Sequence, residues 1–184
     1  MGIFDKNKFD SVKTGWSTHW DFFKPLDAEF NFTVDVAADA ENSKVDRHFD
    51  KEVDGLKQSW KDEIVWCNPP YGREVPNWLK KGRDAALNDN CTSVFLIPAR
   101  TNTKWFHEIC LAASEVRFVK GRPKFYNYAV EDKEATHGLP VPLCLVIYKP
   151  DDNNCKIGTY DWREGECTIT LRLNGRFNAV LAIV

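Results

Sequence analysis

Apolar positions along the chain follow two rhythms, one of period two and one of helical spacing. In FNFTVDVAAD, Phe32, Val34 and Val36 alternate with polar residues before an acidic, turn-like end, which predicts a strand and then a loop. EIVWC and TSVFLIPA are near-continuous apolar runs of strand length. The first stops at NPPYG, where two prolines forbid both helix and ladder continuation. Between the two runs, VPNWLKKGRDAAL sets Val75, Trp78, Leu79, Ala85 and Ala86 on one stripe, turns Lys80, Lys81 and Arg83 outward, and carries Pro76 in its first turn. It predicts an amphipathic helix. TKWFHEICLAA predicts a second such helix, and VRFVKG and VPLCLVIY predict further strands. In WSTHWDFFKPLDAEF, the spacing of Trp16, Trp20 and Phe23 predicts a short helix from about Thr18 that breaks near Pro25. ENSKVDRHF is polar and weakly helical, and from Tyr126 to Pro140 nothing is periodic, the pattern of a loop over a site. The tail from Ile157 to Val184 reads as two or three strands with a hairpin at Asn174-Gly175.

Strands alternating with helices predict an α/β fold with a mainly parallel sheet and a β-rich tail. A chain of 184 residues, 43% of them hydrophobic, suits one domain with a substantial core, here 1–184. No apolar run approaches the roughly 18 residues of a membrane span, and the first stretch is too charged for a secretory leader. A soluble cytoplasmic protein, off the membrane, is expected. The six cysteines are scattered without a CxxC and read as reduced thiols. The four histidines lack ligand spacing, so no metal is expected. Cys67, ending an apolar strand, reads as a core filler more than as a nucleophile. The net charge of −2 is unevenly spread, with twelve acids against six bases from Asp21 to Glu63 and nine bases against four acids from Asn77 to Tyr126. One half suits a cation and the other a polyanion, chance solvated faces being the alternative.

In open α/β sheets ligands bind beyond the carboxyl ends of strands. Asn68-Pro69-Pro70-Tyr71 follows EIVWC at such an end. The prolines fix φ and offer carbonyls without competing N–H donors, giving a rigid acceptor cluster beside an aromatic ring. This is hardware for methylating an exocyclic amino group, a poor nucleophile until its hydrogens are held out of plane. The Asn68 side-chain oxygen and the Pro69 carbonyl accept those hydrogens, and Tyr71 stacks on a base that has left its duplex. A plain proline turn closing a strand is the bland alternative.

The blocks WSTHWDFF, FNFTVDVAADAENSKV, HFDKEVDGLKQSW, VWCNPPYG, LIPARTNTKWFHE and FVKGRPKF, in that order, carry a resemblance from Trp16 to about Tyr148. The chain resembles the phage-type DNA N6-adenine methyltransferases, the Dam-like family. The resemblance implies a class I, Rossmann-like fold dependent on S-adenosylmethionine, with 16–148 as the shared core, 149–184 as an extension, and duplex DNA with a flipped adenine as substrate. It implies that Asn68, Pro69, Pro70 and Tyr71 form the catalytic loop. Thr18 matches the threonine of a family Thr-Pro near the cofactor, although His19 replaces the proline here. Asp35, Ala37 and Ala38 correspond to the first cofactor loop, and Asp54 is a second acidic candidate. A helix cap or a turn is the plain alternative for either acid.

No GxG follows the first strand, and 33 positions separate Asp35 from Asn68, too few for the usual extra strand–helix units. A trimmed sheet and an incomplete cofactor cleft are expected. For DNA, Arg73, Arg100, Arg122 and Phe125 are candidates for phosphate contact and base support, against a solvated basic surface with Phe125 in the core. Trp60, Trp66, Trp78 and Trp105 read as core more than as ligand platforms. Cytosine N4, RNA adenine and protein glutamine are rival targets with the same electronic problem. A silent nucleic-acid-binding module of the same fold is the rival of another class. The tail leaves sheet completion and dimerisation both open.

Overall fold

The computed structural model describes residues 16–127, 141–152, 154–173 and 176–183. A short strand β1 (Trp16–Thr18) leads into helix α1 (Trp20–Phe30), followed by β2 (Val34–Asp35), β3 (Ile64–Cys67), α2 (Val75–Asn88) and β4 (Thr92–Pro98). Then come α3 (Lys104–Glu108), a 3-10 turn at Cys110–Ala112, β5 (Glu115–Val119), β6 (Phe125–Asn127) and β7 (Leu143–Tyr148). The tail forms β8 (Lys156–Asp161), β9 (Glu166–Leu173) and β10 (Arg176–Ile183).

The main sheet has the order β10-β9-β8-β5-β7-β4-β3-β2, and β1 with β6 forms a separate antiparallel pair. β2-β3, β3-β4 and β5-β8 are parallel, whereas β4-β7, β5-β7, β8-β9 and β9-β10 are antiparallel. Six of the eight described strands of this sheet therefore point one way, but most neighbouring pairs are antiparallel. β7 doubles back and wedges between β4 and β5, which makes two of the antiparallel pairs, and the β8-β9-β10 meander makes the other two. The tail joins the same sheet through β8. The turn expected at Asn174-Gly175, and the aperiodic stretch over 128–140, lie outside the described residues.

Helices cover both faces of the sheet, which explains the unbroken apolar run of β4. Phe95 and Ile97 face α2 with Val75, Trp78, Leu79, Ala85 and Ala86, while Val94 and Leu96 face α1 with Phe22, Phe23, Leu26 and Phe30. α2 lies so close that a Cβ on Gly82 would come within 2.4 Å of the Phe95 ring.

Three local expectations change. α1 does not break at Pro25 but continues to Phe30, and β1 occupies the start of the expected helix. An internal proline costs about 3 kcal/mol, yet four buried side chains contribute about 1.5–3 kcal/mol each, so packing wins. ENSKVDRHF forms turns, and no helix or strand stands between β2 and β3, as the short spacing implied. The helix expected over TKWFHEICLAA is only five residues before it tightens into the 3-10 turn. All six cysteines are free, and Cys67 is sealed in the core, its thiol pushed well up by burial and then by Asp35.

Candidate active site

β2, β3 and β4 are consecutive parallel strands, so their carboxyl ends line up along one rim, near Asp35, Asn68 and Pro98. The loop that leaves β3 sits in the middle of that rim. Asn68 is half-buried, and its Oδ1 is buried with no hydrogen-bond partner among the described residues. A buried unsatisfied acceptor costs stability and marks a place made for a ligand donor. Pro69 is buried, Pro70 exposed and Tyr71 half-buried, its ring against the α1-side core and its phenol shifted upward by burial.

On one side of the loop, Ser17, Thr18, Asp35, Ala37, Ala38, Asn42, Lys44, Trp66 and Asn68 line a shallow cleft, about 230 Å³ of space when the open solvent above it is included. Asp35 is 3% exposed, with Oδ2 accepting from the Lys44 N–H at 3.1 Å and Oδ1 from the Ala37 N–H at 3.4 Å. Burial outweighs those bonds and lifts its carboxyl to about 6. Thr18 is 2% exposed and its Oγ1 also lacks a partner among the described residues. His19, where the resemblance implied a proline, has φ −65° and ψ 144°, dihedrals that proline itself adopts. Its Nδ1 accepts from the Asp21 N–H at 3.1 Å and caps α1. A ring accepting there carries its proton on Nε2, which donates to the Tyr126 hydroxyl at 2.8 Å. The two rings stack at 4.6 Å. The substitution thus keeps the backbone and ties β1 to β6.

On the other side, Tyr71, Gly72, Arg73, Val75, Pro76, Pro98, Arg100, Thr103 and Trp105 line a larger space of about 890 Å³, open to solvent. Arg73 and Arg100 are exposed at its edge, and the Thr103 hydroxyl donates to the Arg100 carbonyl at 2.8 Å, bracing the turn after β4. The Asn-Pro-Pro-Tyr loop therefore separates a cleft at the ends of β2 and β3 from a cavity at the ends of β3 and β4, with Asn68 lining the first and Tyr71 the second.

Three sequence candidates stand apart. Asp54 lines neither space; it sits at φ 56°, its carboxylate held by Lys57 Nζ at 2.9 Å and the Leu56 N–H at 3.2 Å, which lower its pKa. The next residue, Gly55, backs onto β2 so tightly that a Cβ would meet the Val36 carbonyl oxygen at 2.1 Å, so DGL is a packing turn. Phe125 is 1% exposed inside the α1-side core, so its ring has no face for a base. Arg122 is exposed and lines neither space. Sequence reasoning missed Ser17, Asn42 and Lys44; Trp66 and Trp105, read as core more than as platforms, do pack in or against the core, and Trp66 also lines the cleft and Trp105 the cavity. Only Lys44 carries a hint, a base inside the acidic half of the chain. Among the described residues no group of three or more His, Cys, Asp or Glu is placed to hold a metal, and no helix is long and apolar enough to cross a membrane.

A mixed α/β sheet with parallel strands at one edge and an Asn-Pro-Pro-Tyr loop between two strand-end spaces is compatible with the methyltransferases. The family profile for DNA N-6-adenine-methyltransferase (Dam) matches residues 5–167. The chain is 31% identical over 147 residues to a DNA N-6-adenine-methyltransferase of Haemophilus phage HP1 (strain HP1c1), covering 78% of this chain and 83% of that one. It is likewise 31% identical over 116 residues to a DNA N-6-adenine-methyltransferase of Escherichia phage T1, covering 62% of this chain and 48% of that one. The chain belongs to the DNA N-6-adenine-methyltransferase (Dam) family.

Methyltransferase families in general draw their methyl group from S-adenosylmethionine. The cleft suits that donor chemically. It combines the unsatisfied oxygens of Thr18 and Asn68 with a carboxylate and an ammonium, groups able to meet the hydroxyls, ammonium and carboxylate of such a molecule.

Proposed function

We propose that this chain methylates the N6 amino group of adenine in DNA, with S-adenosylmethionine held in the cleft beside Asp35 and the target base entering the cavity beside Tyr71. We read the sheet as a trimmed, Rossmann-like class I sheet within one domain. Its ligand rim is the β2-β3-β4 edge, and 149–184 extends the far side. The observation that carries the reading is the loop from Asn68 to Tyr71, which spans the wall between the two spaces and offers an unused, buried acceptor there.

When bound, the donor supplies a methyl group activated by its sulfonium. The protein supplies the rest. Asn68 Oδ1 and the Pro69 carbonyl accept the two hydrogens of the adenine N6 amine, drawing its lone pair out of the ring system and aiming it at the methyl carbon. Tyr71 supports the extruded base from one face, and Pro69 and Pro70 keep the acceptors from relaxing away. After transfer the nitrogen is acidic and sheds its extra proton to solvent, so no strong general base is required. Arg73 and Arg100 at the edge of the cavity contact phosphate. Thr18, Asp35, Ala37 and Ala38 form the cofactor side.

Transfer of labelled methyl from S-adenosylmethionine to DNA, with product nucleosides resolved by mass spectrometry, tests the reading. Wild-type protein yields N6-methyladenine. Asn68→Ala loses about 10²–10³-fold in kcat, the cost of removing one aimed partner, while its Tm stays nearly unchanged because Oδ1 makes no internal bond. Equal activity in the variant, or label confined to protein, overturns the assignment.

A further inference from the structure

The cleft contains a buried lysine that takes no part in the transfer itself. Lys44 is 7% exposed, lines the cleft that holds Asp35, and rests its Nζ 4.5 Å from the centre of the Trp20 ring. Among the described residues its ammonium makes no salt bridge. Asp35 favours its charge from across the cleft without an ion-pair contact, each carboxylate oxygen accepting one backbone N–H, one of them from Lys44 itself, and keeping a lone pair for a ligand donor. A lysine is rarely enclosed without a carboxylate partner, since a buried ammonium is costly.

The surroundings hold it in place. Its loop is fastened by the Ser17 hydroxyl donating to the Asn42 carbonyl at 2.9 Å and by the Asn42 Oδ1 accepting from the Asp39 N–H at 3.0 Å. The indole of Trp20 supports the ammonium from one side, a cation–π contact that partly replaces lost water. The outcome is one fixed cation and one fixed anion in the same cleft.

We propose that Lys44 binds the carboxylate of the amino-acid end of S-adenosylmethionine, the complement to Asp35 in recognising a zwitterion. The inference rests on the cofactor reading given above and extends it to a specificity-determining residue. With Lys44 doing this, the cleft distinguishes the complete donor from adenosine derivatives that lack the carboxylate. Such discrimination follows because a site built for a charged hydrogen bond rejects a ligand that cannot make it.

The experiment is calorimetric titration of the full chain with two probes, S-adenosylhomocysteine and its decarboxylated counterpart. The wild type binds the first more tightly. Lys44→Met weakens S-adenosylhomocysteine by about 10–100-fold, the range for a charge-assisted hydrogen bond, and leaves the decarboxylated probe unchanged. Lys44→Arg retains the preference. If Lys44→Met weakens both probes equally, or neither, Lys44 is not the carboxylate partner and the proposal falls. If the wild type binds neither probe, the cofactor reading itself fails, a result distinct from the first. Quenching of Trp20 fluorescence gives a second readout, compared with Trp20→Phe, and stays silent in a chain whose cleft takes no ligand.

Discussion

Replacing Asp35 with asparagine separates the cost of keeping an anion in the cleft from its use. Burial lifts the carboxyl from 3.8 to about 6 even though two backbone N–H groups, Lys44 and His48 all favour its charge. At about 1.4 kcal/mol per pKa unit, a gap of a little over two units makes ionised Asp35 a liability of about 3 kcal/mol at neutral pH. The sign follows from proton counting. Between roughly pH 4 and 6 the folded chain binds this proton more than the unfolded one does. The stabilising contribution is therefore complete below about pH 4 and is lost as pH rises through about 6. The asparagine side chain cannot ionise and keeps an oxygen for one N–H. Against wild type, Asp35→Asn gains on stability as pH increases, by about 1 kcal/mol between pH 5 and 6, with a plateau above about 7. Urea unfolding at a series of pH values measures it, with Lys44, His48 and the buried Cys67 thiol common to both chains. The same variant binds S-adenosylhomocysteine about 10-fold or more weakly. A pH-independent stability difference refutes the claim that the carboxylate is held ionised against burial, and undiminished ligand affinity refutes its use.

Two further outcomes are expected. Arg117 is fully buried, forks both Glu29 oxygens at 2.6 Å and reaches Glu115 at 3.0 Å, joining α1 to β5. Arg117→Met leaves buried Glu115 with only the longer contact to Lys149 Nζ at 3.9 Å and costs about 3–5 kcal/mol in chemical unfolding, partly recovered by Glu115→Gln; a loss below about 1 kcal/mol contradicts the network's role. Arg73→Ala and Arg100→Ala each lower the slope of log affinity for duplex DNA against log salt by about 0.9 in anisotropy titrations, if each neutralises one phosphate. An unchanged slope removes that arginine from the interface.

Local chemistry made much of this legible in the sequence. The stop of EIVWC at two prolines located the loop, because proline's constraint operates within a residue or two whatever the rest of the chain does. The stripe of VPNWLKKGRDAAL and the unbroken TSVFLIPA likewise became α2 and β4. What escaped depended on partners distant in sequence. α1 tolerates Pro25 only because the sheet buries its aromatic face, and β1 exists because β6 arrives from more than 100 positions away. Asp35, Ala37, Ala38 and Thr18 fell together around the first space, and Arg73 and Arg100 around the second. Asp54 and Phe125 did not, since an acid in a turn and an aromatic in a strand look alike whether they face a ligand or the core. Lys44 sits in a polar run, and only the fold encloses it.

The wedge formed by β7 links assembly to synthesis. β4 offers one side to β3 early, but its other side must await Leu143–Tyr148, made some 45 residues later and after β5. A nascent chain on the ribosome thus exposes an apolar, hydrogen-bond-hungry edge until most of its length has emerged. Translational stalling before that point leaves a species inclined to pair with its neighbours, so the hazard in producing this protein lies in elongation more than in the finished fold.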